Sequence, residues 1–190
     1  MKPFGMERIV LCAVLGAVMI RIVTGAMGRF KPSVPNERPH PALFLFPVVP
    51  VLLFQQALVA PLKLWGVALG CVGLLASLAL FEWSVRATGT EFFSWAMSQD
   101  MPQFVFDRGP YAYVRNPFYA SYLASYIAAA VALQTGIAYA VVVVMGVLFL
   151  GVALFEEKKF ARSPVKDQYA QYLRRTGRFL PRVRTLFGAK

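Results

Sequence analysis

Two knots of polar and aromatic residues stand out in an otherwise apolar chain. The first is Gly109-Pro110-Tyr111-Ala112-Tyr113-Val114-Arg115-Asn116-Pro117-Phe118-Tyr119, set directly before an apolar segment. The second, Glu156-Glu157-Lys158-Lys159-Phe160, follows where the next apolar segment ends. Pro117 suits the first position of a helix, because its missing N–H would have no partner there in any case. Arg115 and Asn116 then stand at a helix amino terminus, where orphan N–H groups and the helix dipole favour an anion. The paired glutamates favour a cation. Together the knots could hold a zwitterion, with its carboxylate near Arg115 and its ammonium near a glutamate. An interfacial anchor of aromatics and charges, the commonest use of Tyr and Arg at a membrane surface, fits the same spacing. Spacing alone leaves both uses open.

Exclusion narrows the chemistry. His40 is the only histidine, between Pro39 and Pro41. No Cys/His cluster has metal-ligand spacing, so no metal site is expected, and a Ser-His-Asp triad lacks its base. Cys12 and Cys71 fall inside apolar segments and act as small hydrophobes. No glycine-rich phosphate loop opens a helix. Gly66, Gly70 and Gly73 instead lie within an apolar segment, where small residues let helices pack closely. Arg21, Gln55, Gln56 and Glu82 are the few charged and amide groups inside apolar segments and are read as structural. A transporter would need more mid-membrane charge and an internal repeat.

The elements that must position the two knots are membrane helices. The chain is 58% hydrophobic and only 15% charged, where a soluble domain would carry about a quarter charged residues. Five apolar segments can be drawn, at roughly Ile9–Met27, Ala42–Ala60, Leu64–Val85, Phe118–Leu133 and Ile137–Phe155. Each approaches the ~20 residues of a spanning helix. Pro47 and Pro50 remove backbone donors in the second segment and are expected to kink it. The short link Leu133-Gln134-Thr135-Gly136 predicts an antiparallel hairpin, which brings both knots to one membrane face. The expected fold is an all-α membrane protein of about five transmembrane helices. Residues 1–85 form three amino-terminal spans, and residues 86–190 form the core that carries the chemistry.

Basic residues set the expected orientation. Arg29, Lys31 and Arg38 follow the first segment, and Arg86, Arg108 and Arg115 lie between the third and fourth. The tail after Phe155 is rich in Lys and Arg, while the links at Pro61–Lys63 and Gln134–Gly136 carry almost nothing. The amino terminus is therefore expected outside, with the basic loops and tail in the cytosol. This topology accounts for most of the net charge of +11, and contact with anionic headgroups is a further use for it. Nucleic-acid binding is not expected. The start, Met1-Lys2-Pro3 onward, imitates a signal peptide, but Arg21 interrupts the apolar run and no small-residue cleavage site follows. An uncleaved first helix is the reading.

The first knot resembles the signature of the integral-membrane methyltransferases, which include isoprenylcysteine carboxyl methyltransferase and the phospholipid N-methyltransferases. Glu156-Glu157 is similar to that family's paired glutamate. Tyr169-Ala170-Gln171-Tyr172, followed by Thr176-Gly177-Arg178-Phe179-Leu180-Pro181, is similar to its closing segment, and Thr88-Gly89-Thr90 to a short turn. The resemblance spans roughly Arg86 to Arg182. It implies S-adenosylmethionine as methyl donor, bound in a cytosolic pocket between the last hairpin and the carboxy-terminal segment. By resemblance, Tyr113, Arg115, Asn116, Pro117 and Tyr119 line the cofactor site. One of Glu156 and Glu157, about 100° apart on a helix, takes the donor's ammonium while the other holds Arg115 or the tail. Tyr169 and Tyr172 close the cytosolic side. Arg178 is a substrate or cofactor clamp, and with Glu157 it is a catalytic candidate.

The acceptor implied is a lipid or lipidated small molecule, and the motifs pull it in two directions. The carboxyl methyltransferases carry histidine where this chain has Asn116, so that position looks like the phospholipid enzymes. The segment with Arg178 looks like the carboxyl enzymes. A carboxylate acceptor wants a cation to position it, from Arg178 or Arg174, whereas an amine must lose a proton. Two other readings compete: a membrane reductase of sterol-reductase type using NADPH, and a non-enzymatic membrane anchor or assembly factor. Oligomeric state is not legible.

Overall fold

The computed structural model describes residues 5–31, 45–89, 93–94, 97–98 and 100–182. His40, Arg38, Thr90, Arg184 and Lys190 lie outside them, and the statements below concern the described residues. Helices dominate: α1 (Met6–Arg29), α2 (Leu45–Val59), α3 (Leu64–Thr88), α4 (Pro117–Leu133), α5 (Gly136–Arg162) and α6 (Lys166–Arg175). Two residue pairs form a minimal parallel ladder, β1 (Phe30–Lys31) beside β2 (Phe93–Ser94). A 3-10 turn at Gly109–Ala112 leads into α4.

Helices α1, α3 and α5 are long and apolar enough to cross a membrane, with 24, 25 and 27 residues. Helices α2 and α4 are apolar but shorter, with 15 and 17 residues. Leu69, Val72, Leu75, Val143, Val144 and Val147 are exposed along α3 and α5, as expected where the solvent is lipid and burying an apolar side chain gains little. Pro47 falls in the first turn of α2, whose N–H groups lack intrahelical partners anyway, so only Pro50 lies in the helix interior.

Helix α3 packs most closely on α4, because its small residues remove the side chains that would hold the backbones apart. A Cβ on Gly70 would stand 2.5 Å from the Ala132 Cβ and 2.8 Å from the Ala128 carbonyl oxygen. One on Gly66 would stand 3.0 Å from the Val131 carbonyl oxygen. The α4–α5 link is as tight as its sequence predicts. Gln134 adopts the left-handed conformation at the end of α4, and the Thr135 hydroxyl accepts from the Ala138 N–H at 3.2 Å to cap α5.

Two arginines tie α1 to its neighbours. Near its start, Arg8 donates to the carbonyls of Ala57 (3.0 Å), Leu58 and Ala60 (2.8 Å), satisfying oxygens that the end of α2 leaves without helical partners. Farther along, Arg21 pairs with Glu82 of α3, Nε to Oε1 at 2.8 Å, and its guanidinium lies 5.5 Å from the Phe81 ring centre. Both charges are thus used within the bundle.

The glycine contact gives a direct test. Gly70→Ala should cost about 1–3 kcal/mol of stability through overpacking, read by denaturation in detergent micelles. Gly151→Ala is the control, since a Cβ there meets nothing within 4 Å, and it should hold or raise the transition, alanine being the better helix former.

Candidate functional site

Three pieces of chain converge at one end of the α4–α5 hairpin. The first is the stretch from Tyr113 to Asn116, which enters α4 through Pro117 at its first position. The second is the polar end of α5, one turn beyond its apolar run. The third is the segment Thr176–Leu180 that follows α6, which pairs with the first along the backbone. The N–H of Arg115 donates to the Gly177 carbonyl at 2.8 Å, that of Gly177 to the Tyr113 carbonyl at 3.1 Å, and that of Asn116 to the Arg178 carbonyl at 3.2 Å. Gly177 is required by the turn that follows, because a Cβ there would fall 1.7 Å from the Leu180 carbonyl oxygen.

Glu157 locks these pieces together. Its Oε1 accepts from Arg115 Nε at 3.1 Å and from Arg178 Nε at 2.9 Å, and its Oε2 accepts from Arg178 Nη2 at 2.8 Å. Arg115 Nη2 lies 3.1 Å from the same Oε1, and Arg115 Nη1 donates to the Thr176 carbonyl. The fork of Arg178 is therefore bidentate, the strong geometry for a carboxylate. Its bonds to Glu157 push the guanidinium of Arg178 above its ordinary value. Arg115 is nearly buried, with 8% of its side chain exposed, so loss of this partner would strand its charge.

Glu156, the neighbouring residue, faces elsewhere. It accepts from the Met97 N–H at 3.0 Å and lies 3.4 Å from Lys159 Nζ. Lys159 also reaches Asp100 at 2.9 Å and the Ser98 hydroxyl at 3.1 Å. The connector ahead of α4 is thus pinned to α5, and Asp107 pairs with Arg175 of α6 at its other end.

Between these elements lies a cavity of about 300 Å³. Connector residues from Asp100 to Phe106, with Tyr111, Phe118 and Phe160, form much of its wall. Of the residues singled out from the sequence, Arg115, Asn116, Tyr119, Glu156, Glu157, Tyr169 and Tyr172 line it. The other three do not. Tyr113 is 39% exposed and packs on Trp83 of α3, with ring centres 6.1 Å apart. Pro117 is buried as the first residue of α4. Arg178 reaches the cavity wall only through Glu157.

Helix α6 closes one side with the rings that its sequence spacing puts on one face. Tyr169 stacks on Phe160, with centres 4.3 Å apart and planes 15° apart. Tyr172 donates its hydroxyl to the Tyr111 carbonyl at 2.7 Å. Burial pushes both phenols above the usual tyrosine value, and Glu157 adds to this for Tyr169. Both phenols are therefore held neutral, and that of Tyr172 is a hydrogen-bond donor.

Sequence reasoning passed over Asp100, Phe104 and Phe106, which sit in a connector without periodicity. Lys159 carried a signal, its i,i+3 spacing from Glu156 on a helix. Tyr111 and Phe118 lay within the first knot but were not singled out.

Glu157→Ala leaves Arg115 nearly buried without its partner, so it should cost about 3 kcal/mol. Hydrogen exchange at the Arg115 and Asn116 amides should accelerate with it. The exposed pair supplies the contrast: Asp107→Asn should cost less than about 1 kcal/mol.

Comparison with protein families finds that the profile described as phospholipid methyltransferase matches residues 62–164. Comparison with curated proteins and with solved structures finds no match. The matched span runs from the start of α3 to just beyond α5 and takes in the helix hairpin, Arg115 and both glutamates. It stops before α6 and Arg178. More than half of the sequence lies under that profile, and the chain belongs to the phospholipid methyltransferase family, membrane methyltransferases that act on lipid.

Proposed function

We propose that this protein moves a methyl group from S-adenosylmethionine to the amine of a phospholipid, with the donor held in the cavity beneath α6. The observation that carries this reading is a pair of oppositely charged clusters on one cavity. Arg115 and Arg178 set two positive charges against the single negative charge of Glu157, which leaves +1. Asp100 and Glu156 set two negative charges against Lys159, which leaves −1. A methionyl group has one carboxylate and one ammonium and complements both clusters. In this reading Arg115 and Asn116 face the carboxylate and Glu156 faces the ammonium. The rings of Tyr119, Phe160 and Tyr169 supply apolar and cation-attracting faces.

S-adenosylmethionine, when bound, supplies an electrophilic methyl on a positively charged sulfur. Transfer is an in-line displacement that needs no metal. A bond forms between the acceptor nitrogen and the methyl carbon while the carbon–sulfur bond breaks, its electron pair staying on sulfur as a neutral thioether. The protein's part is alignment and exclusion of water. The amine must shed a proton before its lone pair can attack, and a carboxylate of the Asp100–Glu156 pair is the group proposed to receive it. An amine suits this cavity better than a carboxylate does, because in this reading the donor's carboxylate takes up the one surplus positive charge, Lys159 is outnumbered by Asp100 and Glu156, and the aromatic walls attract positive charge. Glu157, held at both oxygens by guanidiniums, acts here as a clamp rather than a base. Arg178 acts through it, as a positioning residue.

Five crossings are proposed, α2 and α4 being the short ones, with the amino terminus outside. Arg29, Arg86, Arg108 and the cations of α6 then fall on the cytosolic side. The donor would arrive from the cytosol and the lipid laterally from the bilayer.

Purified protein should be stabilised by S-adenosylhomocysteine and not by NADPH, by about 2.7 kcal/mol at a hundredfold excess over Kd. Arg115→Ala and Glu156→Ala should each remove that stabilisation. Given labelled donor and a panel holding phosphatidylethanolamine and a prenylcysteine, the wild type should label the phospholipid. Stabilisation by NADPH alone, or by neither ligand, would sink the reading.

A further inference from the structure

A second hollow, a groove of about 570 Å³, runs along the outside of the α3–α4 pair. Gly73, Ser77 and Ala128 leave the space, and Leu69, Leu80 and Ile127 border it. The Ser77 hydroxyl donates to the Leu74 carbonyl at 2.7 Å, so it brings no unpaired donor to the groove. An apolar occupant is therefore required. From Leu69 to Leu80 the helix rises about 17 Å at 1.5 Å per residue. One leaflet of a bilayer's hydrocarbon core is about 15 Å deep. The groove has the length and polarity of a single acyl chain.

One turn beyond Leu80 the chemistry of α3 changes. Trp83 is 47% exposed and packs on the half-exposed ring of Tyr113. Such aromatic pairs sit at the headgroup level of a membrane. Gly109 closes in at the same place, since a Cβ on it would stand 2.5 Å from the Ala87 Cβ and 3.5 Å from Trp83 Nε1. Arg86 and Arg108 are the chain neighbours of this Ala87–Gly109 contact, and both are exposed. Neither forms a hydrogen bond or an ion pair among the described residues. Arg29, at the same end of α1, instead donates to the Thr88 hydroxyl at 3.2 Å. Two like charges flanking one backbone contact repel each other, and an anion between them reverses that.

We infer that this face of α3 binds one anionic phospholipid of the bilayer, its phosphate between Arg86 and Arg108 and one acyl chain in the groove. A phosphate accepts from guanidiniums with strong, charge-assisted geometry. The indole N–H of Trp83 and the hydroxyl of Tyr113 are further donors at the depth of the ester groups. A zwitterionic headgroup would bring its own cation to the arginine pair, whereas an anionic one brings only the charge they lack. Trp83, Arg86, Arg108 and Tyr113 are not among the residues lining the cavity beneath α6, so the lipid held here is not the methyl acceptor. The site stands on the membrane placement of α3 and α4, not on the proposed methyl transfer.

Titration of the full-length protein in detergent micelles with phosphatidylglycerol or phosphatidylcholine tests this, with bound lipid counted by native mass spectrometry. Phosphatidylglycerol should saturate at one per chain and bind at least about fivefold tighter than phosphatidylcholine, the effect of one arginine near a lipid surface. Arg86→Gln and Arg108→Gln should each weaken phosphatidylglycerol about fivefold and leave both phosphatidylcholine binding and the lipid-free melting temperature unchanged. Ala76→Leu, which fills the groove from an exposed position of its lining, should weaken both lipids. Lys166→Gln removes one exposed cation of α6, outside the site, and should change neither. Equal affinity for the two lipids, unchanged phosphatidylglycerol binding in the arginine or groove variants, or a lower lipid-free melting temperature in an arginine variant would overturn the inference. An equal loss in Lys166→Gln would do so too, by showing diffuse attraction. A dimer in micelles that Ala76→Leu dissociates would give the groove to a second copy of the chain and overturn it as well.

Discussion

Glu157 stands between two guanidiniums at the polar end of α5, and the geometry of the site hangs on that contact. Arg115 comes from the turn into α4, Arg178 from the segment beyond α6, and neither piece is fixed by apolar burial alone. Both lie outside the apolar helices whose close packing orders the bundle. A charge-assisted, partly bidentate ion cluster does the joining instead. Because Arg115 is nearly buried, the cluster is strongly coupled: removing the carboxylate strands a cation rather than merely losing a contact. The backbone pairing of Arg115 and Asn116 with Gly177 and Arg178 runs beside it and holds α6 over the cavity.

The bundle beneath supplies rigidity by other means. In a membrane the apolar residues of one helix gain little by leaving lipid for another helix, so close packing and internal polar bonds carry more weight. The glycines of α3 let α4 approach until backbone carbonyls touch, and Arg8 and Arg21 tie α1 to α2 and α3. The glycine contacts fix the far end of α4, around Ala128–Ala132, and the helix carries that placement toward Tyr119 and Asn116 at its start. Above this rigid base, the connector is held near Met97, Ser98 and Asp100 by bonds to Glu156 and Lys159, and at Asp107 by the pair with Arg175.

Adjacent residues on α5 ended up with different partners because a helix turns 100° per residue. Glu157 points at the closing segment and Glu156 at the connector. One dipeptide therefore anchors two clusters of opposite net charge on a single cavity, which neither glutamate could do alone. The aromatic walls contributed by Tyr119, Phe160, Tyr169 and Tyr172 leave those clusters as the main charged features of the lining.

Much of this was legible in the chain. Apolar runs near the length of a membrane span announced the helices, Gln134-Thr135-Gly136 the hairpin, and Asn116-Pro117 the start of α4, since each rests on local physics of length, capping and proline geometry. The hairpin in turn implied that both knots share one end. Which glutamate meets which cation was not legible, because a 100° rotation relative to neighbouring segments is set by packing. Nor was the displacement of Tyr113 onto Trp83, or the arrival of Asp100 and Phe106 at the cavity from a connector without periodicity. Sequence by itself determined the elements and the face they share, through interactions between near neighbours. The pairings within the site were decided by tertiary structure, because they join residues 21 to 61 positions apart, whose orientation no local rule sets.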